Sequence, residues 1–256
     1  MLLVSTSSFN WYWLHRIFSF VKEASYDWID LVLSKNNYDT WSASYLKSLI
    51  KEFDVPILSI TAPNKWMNEK KVDLIVDIAK EVWAQNITFF PPYLTDKNTT
   101  WYTKYLPRVK RDTHLSISIA NVEPKFIFFV IPEYKNASLH EIKRITGDTA
   151  LDLASIDLSS GLDIIKALKT LWSSIKNIYF SDRHWPKKWI LPWQAGGGTS
   201  YLPLESFLMK LKATWYWAFI TLKVTPRELW VWTDERVLQN LEYFKNYYKK
   251  HFLDTK

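Results

Sequence analysis

Short apolar segments of strand composition alternate with amphipathic helical segments along all 256 residues of the chain. Predicted strands begin at Leu2, Trp28, Val55, Asn86, His114, Thr149, Lys176 and Trp217. Helical stretches separate them, as in 68–83, where Val72, Ile75 and Ala79 share one face. Strands separated by helices pair in parallel through right-handed crossovers. Eight such units predict an α/β fold, a TIM (β/α)8 barrel of about 250 residues, with residues 1–256 as a single domain.

Two regions interrupt this simple alternation. Residues 122–132 include "KFIFFVI", which has strand composition where a helix is expected, and we leave their structure open. The charged loop after the seventh strand contains Gly196, Gly197 and Gly198, three of the five glycines in the chain. Such a cluster indicates backbone with positive φ or close approach to a ligand. A flexible surface loop is the alternative. A terminal helix is expected over 235–251.

The composition of the chain indicates where in the cell the protein acts and which partners it favours. The chain has no cysteine, which excludes disulfides and thiolate metal ligands and suits an intracellular protein. The amino terminus has no signal-peptide pattern, and no run approaches about 18 apolar residues. We therefore expect a cytoplasmic protein without membrane contact. A net charge of +7 favours anionic partners, although dispersed lysines and arginines are more typical of a solvated surface.

Several motifs resemble the xylose isomerase-like TIM barrels, the superfamily of sugar phosphate isomerases and epimerases, family 2 AP endonucleases and endonuclease IV. Four motifs lie between the seventh strand and the end of the eighth. "IYFSD" is similar to the family's "vHlsD", and "PWQAGGG" to its "pGxG". "LPLESFLMKL" is similar to "lpl..fl..L", and "ITLKV" to "lEv". Earlier in the chain, "ASYDWIDLVLS", "ILSITAP", "SIANVEP" and "LDLAS" resemble "lGfdgiEl", "i.siHaP", "lalEnlp" and "lD..H". The resemblance covers nearly the whole chain and implies the same barrel.

The resemblance also implies that the metal site has changed. In the isomerase branch, Glu, Asp, His and Glu at the ends of strands five to eight hold a divalent cation. They fall here on Ala120, Asp152, Tyr179 and Lys223. Other polar positions of the family fall on Thr61, Asp30 and Ser155. Because a divalent cation needs several donors at about 2.0–2.5 Å, we expect no metal site and no cofactor.

Lys223 and Asp152 are the candidate catalytic residues. A lysine in a barrel mouth of low dielectric must be paired or lose its proton, and Asp152 on the same rim is the expected partner. The ammonium would then replace the lost cation. Alternatively, Lys223 attacks a carbonyl and forms a Schiff base. An alignment shift that turns Lys223 outward between helices is the third possibility.

Further residues near the strand ends are predicted to contact a ligand. These are Glu133, Tyr179, Asp182, Arg183, His184 and Trp185. Arg183, Lys187 and Lys188 could bind an anion. Tryptophans 185, 189 and 193 could stack on a sugar or base, but we prefer the interpretation that they pack on the barrel top.

The resemblance, together with the changed positions, implies a sugar phosphate isomerase/epimerase-like barrel that has lost metal-dependent proton transfer. Such a degenerate protein would bind a small polyol, a phosphorylated ligand or a protein partner. One alternative is a metal-independent isomerase, epimerase or lyase in which Lys223 or Arg183 polarises the substrate and a carboxylate moves the proton. The other is a nucleic-acid-binding relative of endonuclease IV without nuclease activity. The sequence does not indicate the oligomeric state.

Overall fold

The computed structural model describes residues 1–9, 11–35, 37–128, 130–156, 163–184, 187–192, 202–229 and 233–254. Its strands are β1 (Leu2–Ser5), β2 (Trp28–Val32), β3 (Ile57–Thr61), β4 (Asn86–Phe89), β5 (Ser116–Ala120), β6 (Phe126–Ile127), β7 (Ile131–Pro132), β8 (Asp148–Asp152), β9 (Ile175–Phe180), β10 (Asp182–His184), β11 (Lys187–Ile190) and β12 (Phe219–Leu222). Eight of them form a closed parallel barrel in the order β1-β12-β9-β8-β5-β4-β3-β2. The predicted TIM (β/α)8 barrel is confirmed.

Helices connect the barrel strands and pack on their outer side. They are α1 (Leu14–Glu23), α2 (Ala43–Phe53), α3 (Glu69–Glu81), α4 (Leu106–Asp112), α5 (Leu139–Thr146), α6 (Ile164–Leu171), α7 (Leu204–Ala213), α8 (Pro226–Leu229) and α9 (Asp234–Tyr248). Several begin at a side chain that caps the first turn. Asn68 accepts from the Lys71 N–H at the start of α3, and Ser138 and Glu141 form a reciprocal capping box at α5. These caps fix where α3 and α5 begin.

The interior of the barrel is partly polar. Inward-facing positions recur at every second residue along a strand, since successive side chains point to opposite faces. Asn86 donates to Ser59 and Thr88 at 3.2 and 3.1 Å and accepts from Ser118 at 2.6 Å. Hydrogen bonds thus satisfy these buried polar groups below the rim. The apolar core lies between the barrel and the helices.

Four predictions of local structure need correction or completion. The helix that the sequence pattern predicts over 11–24 begins at Leu14, after a 3-10 turn at residues 6–9. The open region 122–132 contains the antiparallel pair β6–β7. The predicted loop after the seventh strand contains a second antiparallel pair, β10–β11. The terminal helix α9 ends at Tyr248 and continues as a π-helical segment, Lys249–Leu253.

Some predictions fall on residues that the structure does not describe. The glycine cluster at 196–198 and Trp193 lie outside the described residues, as does Trp185. Among the described helices, none combines the length and hydrophobicity that crossing a bilayer requires.

Candidate functional site

The carboxyl ends of the barrel strands border two adjoining cavities of about 850 and 550 Å³. The larger lies beside the ends of β1, β2 and β3, and the smaller lies beside the β4, β5, β8 and β12 ends. Residues on their boundary line both cavities: Ser7, Asn64, Lys65, Phe90 and Lys223. The carboxyl face of such a barrel carries its functional residues, so this double cavity is the candidate site.

Lys223 and Asp152 meet at the boundary between the cavities. The Nζ atom of Lys223, directly after β12, lies 2.7 Å from Oδ2 of Asp152 at the end of β8. The side chains are 19% and 2% exposed. The predicted contact is therefore present, and the alternative with Lys223 outside the barrel is wrong. A desolvated carboxylate of this kind needs such a partner.

Aromatic rings surround the Lys223 ammonium. Its Nζ atom lies 4.7 Å from the ring centroid of Tyr179, 5.4 Å from that of Trp189 and 6.0 Å from that of Phe90. Ring faces attract a cation by their quadrupole. The rings therefore stabilise the ammonium in addition to the Asp152 carboxylate.

Trp189 covers Asp152 from the β10–β11 hairpin. Its Nε1 atom donates to both carboxylate oxygens of Asp152, at 3.2 and 3.1 Å. Trp189 has a φ of +52°, a left-handed conformation that is strained for a bulky residue. The main chain of Asp152 is fixed by Asn121, whose side-chain amide donates to the Asp152 carbonyl and accepts from its N–H. Trp189 thus packs on the barrel top, as we prefer from the sequence.

A buried chain of hydroxyl groups lies beneath the larger cavity. The Tyr179 hydroxyl is 2.6 Å from Oγ1 of Thr61, which donates to Asp30 at 3.1 Å. Ser5 also donates to Asp30, at 2.9 Å. Burial raises the pKa of Asp30 to about 6, and hydrogen bonds from Ser59, Ser5 and Thr61 offset part of this effect. Burial, together with the Asp30 charge, holds the pKa of Tyr179 well above its usual value.

The residues at the rim do not fit the divalent cation of the isomerase branch. Ala120 has no donor atom, and the Tyr179 hydroxyl is bonded to Thr61. The carboxylate of Asp152 accepts from Lys223 and Trp189, so cationic and N–H groups occupy its oxygens. The described residues contain no group of three or more His, Asp and Glu side chains arranged to hold a metal ion. A cation at this position would also face the Lys223 ammonium.

The other predicted ligand-binding residues take different positions. Glu133 lines the smaller cavity and Tyr179 the larger one. Arg183 is buried and lines neither of these two cavities; it donates to the carbonyls of Ala154 and Ile156 and contacts Glu123. Two carbonyls and a carboxylate thus accept from the Arg183 guanidinium, and its contact with an anion stays a prediction.

Asp182 and His184 also lie away from the walls of the two cavities. Asp182 is buried, and its carboxylate accepts from the Arg183 N–H at 2.8 Å. His184 is exposed and pairs with Lys187 in the β10–β11 hairpin. Both residues belong to the β10–β11 hairpin, which the prediction of an irregular loop did not include.

Several cavity residues are absent from the sequence-based predictions of the site. They are Lys35, Lys65, Trp66, Phe90 and Glu123. Each lies within a few positions of the end of β2, β3, β4 or β5, where a TIM barrel places functional side chains. Their closeness to the predicted strand ends is the sequence feature from which they could have been predicted.

A closed (β/α)8 barrel with a polar cavity at its carboxyl end defines a class in which ligands bind at the loops after the strands. No family model and no curated protein sequence matches the chain. Solved structures with the same barrel do match, at 10–15% sequence identity.

Three of these structures illustrate the likeness. A xylose isomerase domain-containing protein from Salmonella typhimurium LT2 has 13% identity and a TM-score of 0.70, with 99% of this chain and 97% of that chain covered. The D-psicose 3-epimerase of Clostridium cellulolyticum H10, solved with D-tagatose, has 10% identity, a TM-score of 0.67 and 98% coverage of both chains. A family 2 AP endonuclease from Brucella melitensis has 12% identity and a TM-score of 0.67, with 96% and 98% covered. The chain therefore has the xylose isomerase-like barrel fold that its motifs predict.

Proposed function

We propose that the protein is a sugar isomerase/epimerase-like barrel that binds a small polyol or phosphorylated ligand and lacks metal-dependent proton transfer. The observation that carries the proposal is the 2.7 Å contact between Lys223 and Asp152. It lies where the resemblance puts two metal ligands of the isomerase branch. An ammonium there supplies the positive charge locally but cannot coordinate two substrate oxygens as a divalent cation does.

The remaining polar groups support binding more than proton transfer. Isomerisation and epimerisation need a base within hydrogen-bond reach of the substrate and a group that polarises the carbonyl. Asp152 is 2% exposed and accepts from both Lys223 and Trp189, so a substrate proton would have to compete with these donors. Lys223 reaches both cavities and can donate to a hydroxyl or phosphate oxygen.

Metal dependence and ligand binding can be tested on the same purified protein. We expect no epimerisation of D-psicose or D-tagatose, with or without added Mn²⁺, Mg²⁺ or Zn²⁺. Titration calorimetry with fructose 6-phosphate should show binding that is unaffected by a chelator and weakened in Lys223→Met. Lys210→Met, on the exposed side of α7, is the matched control. Turnover that appears with a metal and disappears with a chelator contradicts the proposal.

A metal-independent isomerase or lyase is the second candidate, because the Lys223 ammonium borders both cavities. Turnover that persists with a chelator and is lost in Lys223→Met would favour it. Protein partners, nucleic-acid binding and a cytoplasmic location remain predictions from the sequence.

A further inference from the structure

The two cavities differ in the charge of their walls. Among the described residues, the charged side chains that line the larger cavity are Lys35, Lys65 and Lys223. The smaller cavity has both signs, since its lysines share the wall with three carboxylates: Glu123, Glu133 and Asp152. The larger cavity is therefore the more cationic of the two.

Two of these lysines have no anionic partner in the described part of the chain. Lys223 pairs with Asp152, whereas Lys35 and Lys65 contact no described carboxylate. The Nζ atom of Lys35 lies 3.2 Å from the ring centroid of Trp66, which lines the larger cavity. That of Lys65 lies 5.2 Å from the ring centroid of Tyr93, which lines the smaller cavity, so Lys65 stands where the two cavities adjoin. Aromatic faces orient an ammonium without neutralising it, so both charges remain available to an anion.

Internal hydrogen bonds hold this wall in place before a ligand arrives. On the β2 side, Thr40 donates to the Asn37 carbonyl at 2.7 Å, and the Trp41 indole donates to the Ser34 carbonyl at 2.8 Å. On the β3 side, the Lys71 ammonium donates to the Trp66 carbonyl at 2.6 Å. A wall fixed in this way loses little conformational entropy on binding.

The size of the cavity and its aromatic rings indicate the kind of ligand. A volume of about 850 Å³ is near the upper end of the roughly 300–1,000 Å³ found for pockets that hold drug-sized molecules. Trp11 and Trp66 line it while remaining 71% and 60% exposed. Lys223 lies where the two cavities adjoin, whereas Lys35 and Trp66 line the larger cavity alone.

We infer that the larger cavity binds an elongated phosphorylated sugar of at least two rings, with its phosphate at Lys35 and Lys65 and its far ring next to Thr61, Tyr179 and Lys223. This inference rests on the proposed function, because it names the ligand class of the same mouth. The two lysines bind the phosphate oxygens as point charges, while the indole of Trp66 contacts the apolar face of a sugar ring.

The test uses titration calorimetry of the full chain with three matched probes: trehalose 6-phosphate, trehalose and glucose 6-phosphate. Trehalose 6-phosphate should bind at least tenfold more tightly than either of the others. Lys35→Met and Lys65→Met should each raise its Kd roughly tenfold, since each removes a charge-assisted contact. Lys51→Met removes the same charge from the exposed side of α2 and should leave the Kd unchanged.

Equal affinity for trehalose 6-phosphate and glucose 6-phosphate, or no binding of any probe, overturns the inference. So does an unchanged Kd in both lysine variants, with thermal melting used to verify that they fold. The two proposals fail in different ways. Metal-dependent turnover overturns the proposed function. The effects of Lys35→Met and Lys65→Met on the Kd of trehalose 6-phosphate can still be measured in that case. Binding of fructose 6-phosphate that depends on Lys223 alone supports the proposed function and contradicts the two-ring ligand.

Discussion

The ammonium of Lys223 and the carboxylate of Asp152 lie 2.7 Å apart and join the ends of β12 and β8 across the intervening strand β9. Each residue comes from a different βα unit, and the two are 71 positions apart in the chain. The contact therefore connects two segments of the rim that share no direct strand pairing. Its loss changes the charge of the mouth and removes a link between these two segments.

A double-mutant cycle should show strong coupling between Lys223 and Asp152. Lys223→Met leaves a carboxylate that is 2% exposed without its cation. Because the Trp189 indole still donates to it, we expect a loss of about 2–3 kcal/mol, below the roughly 3–5 kcal/mol of a fully buried pair. Asp152→Asn combined with Lys223→Met should cost less than the sum of the two, with a coupling of about 1–3 kcal/mol.

Urea denaturation of the four proteins gives these free energies of unfolding. Lys210→Met serves as the control for removing a lysine charge and should lie within about 0.5 kcal/mol of the wild type. Additive effects of Lys223→Met and Asp152→Asn would show that the contact contributes nothing to stability.

The fold could be predicted from the sequence because each βα unit carries its own local signal. The run from Ile178 to Phe180 and the helical spacing of Leu204, Leu208 and Leu211 need no distant partner to be recognised. The β10–β11 hairpin could not be predicted. Its strands contain charged residues and are held by antiparallel pairing and by contacts with the barrel top, which depend on tertiary structure.

The candidate site was predictable only in part. The pairing of Lys223 with Asp152 follows from where barrel strands end and from the cost of leaving a lysine unpaired. Neither the positions of the strand ends nor the cost of an unpaired charge determines the direction of a loop side chain. Arg183 and Glu123 are 60 residues apart and contact each other only because the hairpin folds back. Likewise, Lys35 and Trp66 belong to different βα loops, and the three-dimensional arrangement of these loops brings them together.

The buried Asp30 should make stability depend on pH. Its pKa in the folded protein is about 6, above the 3.8 of an unperturbed aspartate. The folded state therefore holds the proton more tightly than the unfolded chain does. The stabilisation is fully present below about pH 4 and is lost as the pH rises through 6, a change of up to about 3 kcal/mol.

Asp30→Asn removes this titration, so the difference between wild type and variant isolates it from the other carboxylates. The free energy of unfolding, measured in urea at several values between pH 4 and pH 7.5, should fall for the wild type relative to Asp30→Asn as the pH rises. Parallel curves for the two proteins would show that Asp30 does not titrate in this range.

Lys223 should not form a Schiff base with a carbonyl substrate. The nucleophile in that reaction is a neutral amine, whereas Lys223 forms an ion pair with Asp152 and lies among three aromatic rings. Incubation with glyceraldehyde 3-phosphate or dihydroxyacetone phosphate, followed by borohydride and mass spectrometry, should give no adduct on Lys223. Labelling of Lys223 that exceeds that of the exposed Lys210 would support the lyase alternative.

Trp189 should stabilise the protein through its indole N–H as well as through its ring. Trp189→Phe keeps an aromatic ring over Lys223 but removes the donor that lies 3.2 and 3.1 Å from the Asp152 oxygens. Because the acceptor is charged and buried, we expect a loss of about 1.5–3 kcal/mol in the free energy of unfolding. Trp217→Phe, at an exposed position, is the matched control and should change it by less than about 0.5 kcal/mol. Equal effects of the two substitutions would mean that the indole of Trp189 only fills space above the barrel.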